Sequence, residues 1–176
     1  QVQPWFKPGL RCESSRQVAM ATGAAVSRVV LYERTARWNI ENAQCLSLKP
    51  NTMYESDTLF DIPEGHRFSL QVFMGGHGAE LENTSTQVGL FAHCTGYESC
   101  LQPLMWRPQL VCINQADATK NRMVLSSREQ DAKELCRQSN QWSTIGSPDF
   151  IERAKLATDG FMVNGTLVFE LRVKAW

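Results

Sequence analysis

Three histidines and six cysteines are the residues of this chain whose types could do chemistry. The tightest grouping is His93, Cys94 and Cys100, which invites a metal site or a thiol nucleophile with its base. An extended segment supports neither. Neighbouring residues of a strand point to opposite faces, so His93 is badly placed to take a proton from Cys94. One histidine with a Cys-x5-Cys spacing lacks a fourth metal ligand in sequence. Cys12, Cys45, Cys94, Cys100, Cys112 and Cys136 contain no Cys-x-x-Cys pair and no zinc-finger spacing. Gly75-Gly76-His77-Gly78 permits positive φ but lacks the spacing of a phosphate loop. No paired carboxylates in a Gly-rich cleft emerge either. We therefore expect no enzyme, no metal and no cofactor, and read His66, His77 and His93 as surface or turn histidines.

Recognition is the chemistry that remains. Residues His66 to Met74 alternate, with Phe68, Leu70, Val72 and Met74 on one side and Arg67, Ser69, Gln71 and Phe73 on the other. Phe73 is thus a large apolar residue on the side that otherwise looks wet. Residues Thr86 to Cys94 alternate too, placing Val88, Leu90 and Ala92 against Gly89, Phe91 and His93. If these strands are neighbours, Phe73 and Phe91 stand together on the outer face of one sheet, where uncovered rings mark an interaction site. The plainer reading is that the N-terminal residues cover them.

The elements that must hold these rings read as strands. Trp38 and Ile40 alternate with Arg37 and Asn39, and Thr58 to Ile62 is a second candidate, closed by Pro63-Glu64-Gly65. Leu110 to Ile113 is apolar enough to be central, although Pro108 argues for an edge or a bulge. Met123 to Leu125 is short. Gly146 to Ile151 reads as a loop that drops Phe150 and Ile151 onto a sheet, and Phe161 to Val163 enters a turn at Asn164-Gly165. Beyond it Leu167, Phe169, Leu171 and Val173 form the drier face of a last strand. About eight strands without a long helix between them favour an all-β antiparallel sandwich. Residues 1–30 hold Pro4, Trp5 and Pro8 and then an Ala- and Val-rich run broken by Gly23, so they are expected to be an arm with at most a short helix.

Composition bounds the partners. Eighteen basic and eighteen acidic side chains cancel, so no nucleic acid is expected. No apolar run approaches the roughly 20 residues that cross a bilayer, so no membrane partner is expected. A protein or peptide partner, or a second copy of the chain as a homo-oligomer, stays open. Six cysteines in 176 residues are too sparse for a disulfide scaffold, and free thiols in a reducing compartment point to the cytoplasm. The sequons Asn83-Thr84-Ser85 and Asn164-Gly165-Thr166, with a Cys94–Cys100 bridge geometrically open, keep a secreted or extracellular alternative.

Several of these stretches also carry a resemblance. Gly146-Ser147-Pro148-Asp149-Phe150-Ile151, then a short polar connection, then Asp159 to Val173 resembles the closing signature of MATH domains, the module shared by meprins and TRAF proteins. Gly165 stands where that family most often has Asp. Arg34 to Ile40 resembles its opening strand, an aromatic-x-Trp-x-Ile motif. The resemblance implies a MATH/TRAF-like sandwich over residues 31–176. Residues 71–78 are similar to a TRAF strand and loop in which Arg-x-Tyr precedes Asn-Gly-Asp-Gly; Gln71 falls at the Arg, Phe73 at the Tyr and His77 at the Asp. A site here would therefore not read the TRAF peptide motif. Phe91 falls at the aromatic that lines the peptide groove of speckle-type adaptors, which recruit substrates to cullin ligases. Leu135, Arg137, Trp142, Ile145, Gly146 and Ser147 fall in the variable stretch that flanks the groove. The implied function is binding of a short extended peptide, in adaptor or substrate-recruitment work often tied to ubiquitin signalling. The alternative is a structural or oligomerisation domain whose outer sheet face packs on its own arm or on another subunit.

Overall fold

From Tyr32 to Ile40 every second residue turns away from water, and the same period returns from Leu167 to Ala175. Two such segments can hide their apolar sides only by pairing and facing another layer. The computed structural model describes residues 32–62, 65–78, 86–96, 104–125, 134–135 and 143–175. In chain order the strands are β1 (Tyr32–Ile40), β2 (Tyr54–Glu55), β3 (Phe60–Asp61), β4 (His66–Phe73), β5 (Gln87–Gly96) and β6 (Leu104–Cys112). They continue with β7 (Arg122–Leu125), β8 (Glu134–Leu135), β9 (Ser143–Glu152), a short helix α1 (Arg153–Thr158) and β10 (Leu167–Ala175). One sheet runs β1-β10-β6-β7, with β8 also pairing β6; the other runs β2-β4-β5-β9, with β3 also pairing β4. Every pairing is antiparallel.

The core fills the space between these layers. Phe68, Leu70 and Val72 from β4 and Leu90, Ala92 and Cys94 from β5 meet Trp106 and Leu110 from β6 and Leu167, Phe169 and Leu171 from β10. Phe68 stacks on Phe60 at 5.2 Å between centroids and meets Trp106 edge-on at 5.3 Å. Each fully buried side chain of this kind contributes about 1.5–3 kcal/mol of transfer free energy. The all-β sandwich expected from the alternation is the observed architecture.

Local chemistry explains several details. Asn164 (φ 51°) and Gly165 (φ 77°) form a two-residue turn in which Val163 and Thr166 exchange hydrogen bonds of 3.1 and 2.9 Å. Pro108 sits inside β6 opposite Val173, between the residues that pair with β8 and those that pair with β7. A residue with no N–H is tolerated there because, among the described residues, one flank of the strand has no partner at this point.

Three expectations are corrected. Gly146 to Ile151 is not a loop but part of β9: Gly146, Ser147 and Ile151 pair with β5 across a register irregularity, and Phe150 and Ile151 are buried. The polar connection after it contains α1, whose Leu156 is 2% exposed. The strand expected over Thr58 to Ile62 shrinks to Phe60–Asp61, and β2 had no signal at all because two residues show no period. Residues 1–30, expected as an arm, lie outside the described residues.

Candidate functional site

The outward side of the β2-β4-β5-β9 sheet is built by period-two arithmetic. Glu55 pairs with Gln71, Gln71 with Phe91 and Phe91 with Gly146, so these four positions form one row across four strands. Paired positions in an antiparallel sheet share a face. On one flank of the row Phe73 pairs with Gly89, and on the other Ser69 pairs with His93 and His93 with Thr144.

Phe73, His77 and Phe91 come together as one group of rings. Phe73 and His77 lie 4.3 Å apart between centroids, Phe73 and Phe91 meet edge-on at 5.6 Å, and His77 and Phe91 at 5.1 Å. Glycines make room for them. A Cβ on Gly146 would stand 2.2 Å from the Leu90 carbonyl oxygen and 2.6 Å from Cδ1 of Phe91, so only glycine lets the Phe91 ring settle beside the β9 backbone. Gly89 supports the other side of that ring, its missing Cβ 3.2 Å from Phe91 Cε2. The rings are not equally open. Phe91 is half-buried and His77 exposed, but Phe73 is only 6% exposed. Phe73 was expected to stand uncovered; its two ring neighbours cover it, so it supports the others.

His77 is held by a contact that sequence reasoning missed. Asn51, in the left-handed region at φ 59°, takes its backbone N–H to the Gly76 carbonyl at 3.0 Å. Its side-chain Nδ2 donates to the Gly78 carbonyl at 3.2 Å, and its Oδ1 accepts from the Gly78 N–H at 3.0 Å. The loop carrying His77 is thereby tied on both sides of the ring. No local pattern signals a link across this distance in sequence.

A polar group adjoins the rings. Glu55 Oε1 accepts from Ser69 Oγ at 2.6 Å and lies 2.7 Å from His93 Nδ1, which is itself 3.0 Å from Gln71 Nε2. Burial works to raise the Glu55 carboxyl, but the hydrogen bonds from Ser69 and His93 outweigh it and hold the group below its ordinary range. His93 is 8% exposed and His66 2%, which corrects the reading of both as surface or turn residues. His66 opens β4 and His93 lies within β5, paired with β4 and β9 on its two sides. His77 is exposed, in the loop that follows β4.

The remaining sequence candidates scatter. Ile145 pairs with Ala92 and packs against the core, which corrects its expected place in a groove: alternation turns it inward where Gly146 turns out. Ser147 pairs with the core residue Leu90 and so shares that residue's side of the strand, away from the rings. Leu135 is also corrected. It lies in β8 and pairs with Leu104 of β6, in the other sheet, because β6 takes a second partner beyond the end of β7. Arg137 and Trp142 fall outside the described residues.

Beside the rings lies the last described strand of the sheet. Among the described residues β9 pairs only with β5, so one side of Ser143–Ser147 has no strand against it. That open edge is short: Pro148 has no N–H to give, and Arg122 Nε donates to the Phe150 carbonyl at 3.0 Å. Farther along β9 a cleft of about 780 Å³ is lined by Lys120, Arg122, Glu152, Lys155 and Asp159. Lys155 pairs with Glu152 at 3.4 Å and Lys120 with Asp117 at 3.5 Å, so this is a solvated surface of paired charges.

Among the described residues, thiols add nothing to this face. Cys94 is buried in the core, and the bridge considered to Cys100 has one end outside the described residues. Burial pushes the Cys112 thiol up to about 12, where it is an inert hydrophobe. Among the described residues no cluster of His, Cys, Asp and Glu is gathered to hold a metal ion. No described helix is long and apolar enough to cross a membrane.

No curated protein matches the chain. Among solved structures it is similar to TRAF5 of Notothenia coriiceps, with a TM-score of 0.61 and 17% identity over 79% of this chain and 72% of that one. This likeness is one of fold. The sequence profile of the MATH domain matches residues 35–173, and the chain therefore belongs to the MATH domain family, a family of protein-interaction modules.

Proposed function

We propose that this domain captures a short extended segment of a partner protein across the outward face of the β2-β4-β5-β9 sheet. The guest enters over Gly146 at the open β9 edge and presses one apolar side chain against Phe91 and His77. What supports the reading most is a single coincidence: the glycine gap in side-chain cover along the row, at Gly146, lies between a half-buried ring and a strand edge that no other described strand pairs. Where the guest crosses the β9 edge, backbone groups there supply hydrogen bonds that any sequence can make, and the rings supply selection by shape. Capture of this kind serves recruitment. Any catalysis, including ubiquitin transfer to the captured protein, would be supplied by other domains or partners.

A displayed library of random peptides tests this directly. Wild-type domain should enrich a motif with one large apolar position, and Phe91→Ala should lose it while melting as a folded protein. NMR shifts on adding a selected peptide should concentrate at Thr144–Ser147, His77 and Phe91. Shifts confined to the β1-β10-β6-β7 sheet would overturn the proposal. Deleting residues 1–30 separates it from the oligomerisation alternative: a domain that still binds its peptide is a receptor, whereas one that aggregates needed its outer face covered.

A further inference from the structure

The row from Gly146 to Glu55 changes chemistry along its length. It begins at a gap over a ring and ends at a carboxylate. Strands in a sheet lie about 4.8 Å apart, so the β5 position of Phe91 and the β2 position of Glu55 are separated by roughly 10 Å. An extended guest advances about 3.3 Å per residue, so a guest with an apolar side chain on Phe91 has its third residue onward above Glu55. Along this row and its flanks, Glu55, Gln71, Phe91, Gly146, Ser69, Phe73, His77, His93 and Thr144 include no lysine or arginine. The next cation along β4, Arg67, lies 3.9 Å from Asp61 across the β3 pairing. Glu55 keeps 32% of its side chain open to water while Ser69 and His93 hold one of its oxygens in place. It is thus a pre-positioned anion with an accessible side.

We infer that the guest peptide carries a lysine or arginine about three residues from its apolar anchor, and that Glu55 is the residue that selects it. This deepens the proposed peptide capture and rests on it. His93 acts as a positioning residue: fixed beside Gln71, it keeps the carboxylate over the face instead of letting it swing into solvent. Fixing the anion beforehand lowers the ordering cost of the pair. The pair sits partly exposed, so its contribution is graded and sensitive to salt.

Selection from a random peptide library, followed by fluorescence polarisation with synthetic peptides, decides the matter. Selected sequences should show Lys or Arg at the third or fourth place from the apolar residue. Replacing that residue by Glu should weaken binding by about fivefold, the upper range for a partly exposed pair. Glu55→Gln should remove the discrimination between the two peptides while retaining capture of both, and Glu55→Lys should reverse it. A motif that depends on Phe91 but is indifferent to charge, or favours acidic residues, overturns the inference and leaves the capture site standing. Peptides that bind Phe91→Ala as well as wild type overturn both.

Discussion

Phe68 and Phe73 belong to the same strand, and their side chains leave it on opposite sides. Both are almost fully covered, at 0% and 6% exposure, yet the cover differs in kind. Phe68 is enclosed by the opposing sheet through Trp106, so its environment depends on the whole sandwich closing. Phe73 is enclosed by Phe91 and by His77, a residue of an exposed loop held by Asn51. Burial alone does not separate a core residue from a site residue. What separates them is whether the covering group can move without opening the fold.

The contrast is broken most easily by truncation. Phe68→Ala should cost about 3–5 kcal/mol, the usual loss for a large ring in a closed core, and leave little folded protein in a urea titration. Phe91→Ala, half-buried on the outside, should cost only about 1 kcal/mol and spare the fold while removing peptide capture. Phe73→Ala should fall between, because His77 and Phe91 can settle into part of the space it leaves. Equal losses for all three would mean that the outer rings are core after all.

A substitution in the seat of the rings sharpens the same distinction from the other side. Gly146→Ala places a Cβ against the Leu90 carbonyl and the Phe91 ring, at 2.2 and 2.6 Å. Relief requires the ring or the β9 backbone to shift, at a cost of about 1–3 kcal/mol typical of overpacking. Thermal melts should show that loss, and the aromatic NMR signals of Phe91 and His77 should move while those of Trp106 stay. Movement of Trp106 instead would show that β9 carries strain into the core.

Much of this plan was legible in the residues. Alternation in 66–74 and 86–94 assigned Phe73 and Phe91 to one side, and Asn164-Gly165 announced its turn. The register was not legible: nothing local says that Gln71 opposes Phe91 or that Gly146 opposes it from the far side. Gly146-Ser147-Pro148 looked like a loop because its residue types are those of loops, and only pairing with β5 makes it a strand. Glu55 was missed for the same reason. Its strand is two residues long, and its partners Ser69 and His93 lie far along the chain. Ile145 was misplaced because the resemblance put it in a variable stretch flanking the groove, which carries no inside and outside; once it is a strand, period two sends Ile145 to the core.

Acid provides the gentlest separation of the inner and outer faces. The interior phenyl and indole rings have nothing to titrate, whereas each sheet carries a fixed carboxylate on its outward side. In the second sheet burial works to raise the Glu170 carboxyl, but hydrogen bonds from Arg37 at 2.8 Å and Arg172 at 2.6 Å outweigh it and hold the group below its ordinary value of 4.5. Glu55 is held low by Ser69 and His93. A carboxyl whose folded value lies below its unfolded one binds fewer protons when folded, so its contribution is complete above pH 4.5 and fades as pH falls through the folded value. Arg37 and Arg172 remain 63% and 43% exposed, so solvent screens the second clamp and each site should contribute no more than about 1 kcal/mol. Urea titrations at descending pH should therefore show stability falling below pH 4.5, with the fall reduced in Glu55→Gln and Glu170→Gln. A moderate interior truncation such as Val72→Ala should lower the whole curve without changing its slope. If the interior variant altered the slope and the two glutamine variants did not, the titrating groups that matter would lie elsewhere, and the outer faces would be inert to acid.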